Sequence, residues 1–330
     1  MKNKIKNIIQ TLFFIALGIA FIWWFWEKLG NEERTQIWKS LEQTNYFWFI
    51  LASIISLASH YVRALRWRLM SETFGYKVSR TNSFFAVMSG YLTNLAIPRL
   101  GEVVRCTMLK KSNDIPIEKS LGTIITERVI DMVLFALLLL FTLIIQQDLL
   151  LSYIKNNFNL NLSNLFQLAI ISFLCLAVVI ALFFAFKRKI INNKYYNKIK
   201  NLLTGFLDGI KSIFKLKKPL LFIVYSLLIW ALWIVGTFTC FQCLKETQIL
   251  SLLQALVTTV LGAFGPMITP GGIGLQPAIF AEVLETYTIS RPIAYVCGWL
   301  NWLSSQVGTI IFGLIAFVYF STKKLKNEIF

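Results

Sequence analysis

The sequence predicts an all-α, polytopic integral membrane bundle. About six full spans are joined by two inverted re-entrant, broken-helix hairpins, with both termini in the cytoplasm. Three observations predict this. The chain is 56% hydrophobic and only 15% charged, against about 25% charged for a soluble domain. Six apolar runs reach roughly the 20 residues needed to cross hydrocarbon. Two further apolar regions are interrupted by proline and glycine. The whole length, 1–330, reads as one membrane domain with inverted halves at approximately 47–145 and 219–320, and no stretch is left for a separate soluble domain.

The first run, Ile8 to Trp26, follows Lys2, Lys4 and Lys6. It is too long for a signal-peptide core and no small-x-small cleavage site follows, so it reads as a retained helix. Trp23, Trp24 and Trp26 then form an aromatic belt at its far interface. The other long runs are 47–67, 122–145, 165–186, 219–243 and 293–320. The broken regions are 82–110 and 251–290.

The formal net charge is +17, and its distribution decides what it means. Twenty-six of the 33 Lys and Arg residues fall on the N-terminus, residues 63–80, 99–119, 187–218 and the C-terminal tail. Six fall on the alternate loops, and Arg128 lies inside a span. The positive-inside rule puts the richer set in the cytoplasm. The asymmetry therefore accounts for the charge, and no nucleic-acid motif accompanies it. The same count makes each broken region begin and end on one side, the first cytoplasmic and the second external. Residues 195–215 carry apolar positions three and four apart with lysines opposite, the pattern of an amphipathic helix on the inner leaflet.

The interruptions carry the functional signal. Asn94-Leu-Ala-Ile-Pro-Arg-Leu-Gly-Glu-Val-Val-Arg105 and Ile268-Thr-Pro-Gly-Gly-Ile-Gly-Leu-Gln276 each place proline and glycine after an apolar half-helix, then a polar residue, Glu102 or Gln276. Paired breaks of opposite orientation point to a midplane site in a transporter. Non-helical backbone at depth is tolerated only where protein buries it or water reaches it. Ionisable groups inside the bundle add to this. Arg63 lies deep in the second run. Arg99, Glu102 and Arg105 follow the first break, where Glu102 can pair with an arginine or the arginines can hold a phosphate through forked donors. Glu127 and Asp131, four apart, share a helix face, and Arg128 and Asp131, three apart, can pair. Arg66 and Arg68 read as snorkelling to inner-leaflet phosphates. His60, the single histidine, reads as a hydrogen-bonding group within the bundle. Five cysteines, Cys240 and Cys243 among them, read as small apolar helix residues, because a metal or redox role needs further ligands. No cofactor is implied, and no nucleotide-binding loop occurs. Energy would then come from ion gradients or downhill flow, with Glu102, Glu127 or Asp131 as proton carriers.

At Arg63–Met70, Asn94–Lys111, Thr126–Met132 and Thr269–Phe280 the chain resembles the lysylphosphatidylglycerol synthase transmembrane-region family, the flippase part of multiple peptide resistance factors and their stand-alone relatives. The resemblance implies a bundle with re-entrant segments that translocates lipid or serves lipid-linked envelope chemistry in the bacterial cytoplasmic membrane. Arg99, Glu102, Arg105, Glu127, Arg128, Asp131, Pro270, Gly271, Gly272 and Gly274 match the family's motif positions. With Arg63, Asn94 and Gln276 they make up the candidate substrate-binding set. The family usually has a glutamate shortly after the last glycine, where this chain reads Gln276-Pro277, which puts a cationic headgroup in doubt. The expected ligands are membrane lipids, anionic or phosphate-bearing. An envelope-synthesis enzyme as partner and a homo-oligomer stay open, and so do two competing functions: a membrane glycosyltransferase with Glu127 and Asp131 as acid and base, and an accessory subunit of an envelope lipid synthase.

Overall fold

The computed structural model describes residues 30–73, 75–97, 100–147 and 216–329, together with Trp23 and Glu27. The predicted span at 8–26 apart from Trp23, the span at 165–186, the amphipathic segment 195–215, and Arg99 lie outside the described residues.

Among the described residues every regular element is helical. They are α1 (Asn31–Glu42), α2 (Tyr46–Thr73), α3 (Arg80–Ala96), α4 (Leu100–Asn113), α5 (Ile117–Ile145), α6 (Pro219–Phe241), α7 (Leu252–Gly262), α8 (Gly265–Ile268), α9 (Leu275–Glu285) and α10 (Arg291–Ile329). Four are long and apolar enough to cross a bilayer: α2, α5, α6, and α10 as far as Thr322. They coincide with four of the six predicted runs. Their outward residues, such as Ile50, Ile54, Leu137, Ile144, Leu227 and Val318, are exposed, as lipid-facing positions should be, since lipid and not water surrounds them.

Two buried clusters give the bundle its ends. One gathers Ile37 of α1, Ala52 of α2, Phe241 of α6, and Ile293 and Leu300 of α10. The other gathers Trp67 and Met70 of α2, Phe222 of α6, Ile124 of α5, and Ala316 and Phe320 of α10. Hence α2 and α10 run one way, and α5 and α6 the other.

The two interrupted regions are antiparallel helix pairs attached at opposite ends. The α3–α4 pair has its open end in the second cluster, through Val78, Leu109 and Ile115. There Asn82 Nδ2 donates to Asn113 Oδ1 at 2.8 Å. The α7–α9 pair has its open end in the first cluster, through Leu250, Leu284 and Ile289. Arg291, at the start of α10, ties that end together by pairing with Glu282 and Glu285 at 2.9 and 3.3 Å. The arms are short. At 1.5 Å per residue, α7 and α9 are each about 16 Å long, and α4 about 21 Å, against a hydrocarbon core of about 30 Å. The sequence suggests one half-helix from Ser251 to Gly265; the structure stops α7 at Gly262 and turns the chain before Pro266.

Candidate functional site

Helical spacing assembles the site. On α2, Arg63 and Arg66 are one turn apart. On α5, Glu127 and Asp131 are also one turn apart, about 15 and 21 Å from the start of that helix. The two pairs face each other. Arg63 Nη1 donates to Glu127 Oε1 at 3.2 Å and to Asp131 Oδ2 at 2.9 Å. Arg66 Nη1 donates to Asp131 Oδ1 at 2.6 Å and to Ser226 Oγ of α6 at 3.0 Å. Arg66 Nη2 reaches Glu127 Oε1 at 2.9 Å and Asp131 Oδ2 at 3.1 Å. From α4, Arg105 brings Nη1 to 3.0 Å from Glu127 Oε2. Arg66 and Glu127 are 0% and 1% exposed. Three guanidiniums thus face two carboxylates, leaving one positive charge inside the bundle.

Aromatic faces enclose these cations. The Arg105 guanidinium carbon stands 3.6 Å from the centroid of Trp67, Arg63 lies over Trp233 at 5.3 Å and Tyr91 at 5.8 Å, and Arg66 lies over Phe222 at 5.5 Å. Cation–π attraction strengthens when the cation is desolvated. Trp67 is itself fixed by donating to Thr123 Oγ1 at 2.7 Å.

Beside this cluster, Glu102 and Arg128 form a second pair between α4 and α5, Nε to Oε1 at 3.0 Å, with side chains 34% and 44% exposed. Arg128 adjoins Glu127 in sequence, and Glu102 is one turn from Arg105. The buried cluster and the open pair therefore join the same two helices.

The tips of the two helix pairs meet. At the first, Asn94 Oδ1 accepts from the Gly101 amide at 2.8 Å, satisfying one of the donors that a helix start leaves free. A side chain at Gly101 would collide with the Gly90 carbonyl and the Asn94 amide, so α3 and α4 touch backbone to backbone. At the second, Gly271, Gly272 and Gly274 take φ of 57°, 78° and 72°, a region that L side chains avoid. A Cβ at Gly271 would run into Leu95 of α3. Trp302 Nε1, from the first third of α10, donates to the Gly271 carbonyl at 2.8 Å. The broken backbone at the second tip is thus held by protein groups from both α3 and α10.

Several sequence expectations change. Arg66 does not snorkel: it is the most enclosed cation of the cluster, because two carboxylates meet it there. Arg68 turns back instead, with Nε donating to the Val78 carbonyl at 2.7 Å. Asp131 pairs with Arg63 and Arg66 and not with Arg128, since a three-residue offset on α5 turns Arg128 toward α4. Glu102 pairs with Arg128 of α5 and not with Arg105 of its own helix. Pro270 is buried in the turn before α9, and Gln276, in the first turn of α9, packs close to Gly265 and Gly272. His60 Nε2 lies 3.4 Å from Thr309 Oγ1, and its ring packs on Tyr91 at 4.5 Å. Cys106, Cys240, Cys243 and Cys297 are buried and free. Among the described residues no group of His, Cys, Asp and Glu could hold a metal ion.

Sequence reasoning missed Trp67, Ser226 and Trp302 as supports of the site, and did not join Arg63 and Arg66 to Glu127 and Asp131. The matched one-turn spacings on two helices were the available signal.

With this geometry in place, comparison with known proteins adds the family. The family described as lysylphosphatidylglycerol synthase TM region matches residues 9–321. A UPF0104 membrane protein of Methanocaldococcus jannaschii is 30% identical over 145 residues, which cover 43% of this chain and 40% of that relative's length. No solved structure matches. The interrupted helices and the buried charge cluster are therefore features of a multi-pass membrane protein that belongs to the lysylphosphatidylglycerol synthase TM region family.

Proposed function

We propose that this protein moves a phosphate-bearing lipid headgroup, from a phospholipid or an isoprenoid-phosphate lipid, across the bilayer. The observation that carries the reading is a net-positive ion cluster buried beside two helix pairs that open at opposite ends of the bundle and meet at their tips. Ionisable groups at such depth are costly and mark substrate paths or proton relays. Short broken arms of opposite orientation accord with a midplane transporter site. In this reading both pairs are re-entrant, the headgroup passes along α4 and α5, and the acyl tails stay in lipid. Glu102–Arg128 is the outer contact and Arg105–Glu127 the inner one, so both ion pairs must exchange partners during a cycle. A transferase role for Glu127 and Asp131 is less well supported, because each carboxylate is engaged by more than one guanidinium.

The test is headgroup exchange in proteoliposomes, using a panel of lipids with fluorescent headgroups and a membrane-impermeant quencher. Faster exchange for a phosphate-bearing lipid, abolished in Glu102→Gln, is the expected result. No exchange for any lipid by folded protein would sink the reading.

A further inference from the structure

Arg105 is the unusual member of the cluster. It is 5% exposed, yet its Nε and Nη2 are buried without a hydrogen-bond partner. Those two nitrogens form one edge of the guanidinium, where two N–H groups point the same way and match a pair of oxygens on a phosphate or carboxylate. Only the opposite corner, Nη1, meets Glu127. Trp67 covers the flat face, which holds the plane of the group but satisfies no N–H. A buried donor left unmet is destabilising, and a charged one more so. The Nε atoms of Arg63 and Arg66 are also unmet, so the cluster is rich in donors as well as positive.

We infer that the Nε/Nη2 edge of Arg105 is an oxyanion site, taking two oxygens of a phosphate group in the plane set by Trp67. Glu127 is the internal anion that keeps Arg105 in place when the site is empty. The ligand neutralises the one excess positive charge of the cluster. Phosphate is the oxyanion that a bilayer presents most abundantly to a side chain at this position. Its path is the half-exposed Glu102–Arg128 pair, one turn away on the same two helices. This deepens the lipid-translocation reading and rests on it only for how a phosphate comes to this depth.

The test is equilibrium binding to the purified full chain in detergent, followed by tryptophan fluorescence and by Tm. Three probes are used: dioctanoylphosphatidylglycerol, dioctanoylglycerol with the same tails and no phosphate, and inorganic phosphate. The phosphatidylglycerol should titrate the fluorescence and raise Tm, and dioctanoylglycerol should do neither. Arg105→Lys should weaken binding at least tenfold, because an ammonium keeps the charge opposite Glu127 but lacks the planar fork. Binding of inorganic phosphate as well would support the site with the phosphate alone as its ligand. Binding of the lipid only would support it with the headgroup as the source. Equal binding by Arg105→Lys, equal binding of dioctanoylglycerol, or no binding of either phosphate probe would overturn the inference. Should Arg105→Lys fail to fold, a phosphatidylglycerol with a photoreactive group beside the phosphate is applied to the wild type. Label on peptides containing Trp67 or Arg105 supports the site, and label confined elsewhere overturns it. A wild type that binds through Arg105 but exchanges no lipid removes the transport reading and leaves the site. Exchange that persists with unchanged binding in Arg105→Lys does the reverse.

Discussion

At the scale of single residues, exposure separates two carboxylates that the sequence treats alike. Glu127 is enclosed and bridges three guanidiniums, so Glu127→Gln leaves buried positive charge uncompensated. Breaking a buried pair from one side costs about 3–5 kcal/mol, and the expected result is a large fall in Tm of the detergent-solubilised protein. Glu102 faces one half-exposed arginine. Only that one pair is lost in Glu102→Gln, against three at Glu127, so Glu102→Gln should lower Tm less than Glu127→Gln while lipid exchange falls. Equal Tm losses for the two variants would show that burial does not divide their roles. Trp302 offers a third contrast. Trp302→Phe keeps the ring and removes the donor to the Gly271 carbonyl, for an expected loss of about 1–3 kcal/mol if that carbonyl stays buried and unmet.

At the scale of elements, the two helix pairs depend on close backbone approach more than on apolar area. Gly101 stacks on Gly90 at the first tip, and Gly101→Leu has no space to occupy. Overpacking costs about 1–3 kcal/mol even where neighbours can shift; here the neighbour is backbone, so the α3–α4 pair should splay and expression of folded protein should fall. At the second tip, Gly272→Leu is a poor probe of headgroup approach. A Cβ there would lie 2.7 Å from Gln276 Oε1 and 3.1 Å from Pro266, at φ 78°. Its expected effect is local strain, seen as lowered Tm, whether or not a ligand comes near. The lengths of these elements follow from the same chemistry: proline and glycine end the half-helices, and Asn94 and the Trp302 indole then satisfy backbone groups that the breaks set free.

At the scale of the whole molecule, the α3–α4 and α7–α9 pairs open at opposite ends of one bundle. Cysteines placed at Lys111 and at Lys245 in a cysteine-free background should therefore react with a membrane-impermeant maleimide from opposite sides of the membrane. The positive-inside reading assigns Lys111 to the cytoplasm. Labelling of both from one side would break the opposed arrangement and the transport reading built on it. An apolar groove lined by Ala231, Ile234, Val235, Leu252, Leu253 and Leu256 lies between α6 and α7. Its lining has no polar side chain to recognise a headgroup, and it sits where an acyl chain of the surrounding lipid would lie.

By itself the sequence determined the helical membrane class, the existence and approximate extent of four described spans, and the place of both breaks. Hydrophobic run length, proline and glycine are local properties, and no tertiary contact is needed to read them. Most of the candidate residues were also legible, because a charge inside an apolar run stands out wherever it occurs. Which charge meets which was decided only by the tertiary structure. Arg66 sits among loop-like basic residues in the chain and is the most buried cation in the bundle, since α2 and α5 cross where their one-turn spacings coincide. The pairing of Glu102 with Arg128, the collar around Gly271 and the open edge of Arg105 depend on helices separated by 26 residues or many more in sequence. Side-chain direction at such contacts is set by helix packing, which hydrophobic periodicity does not encode.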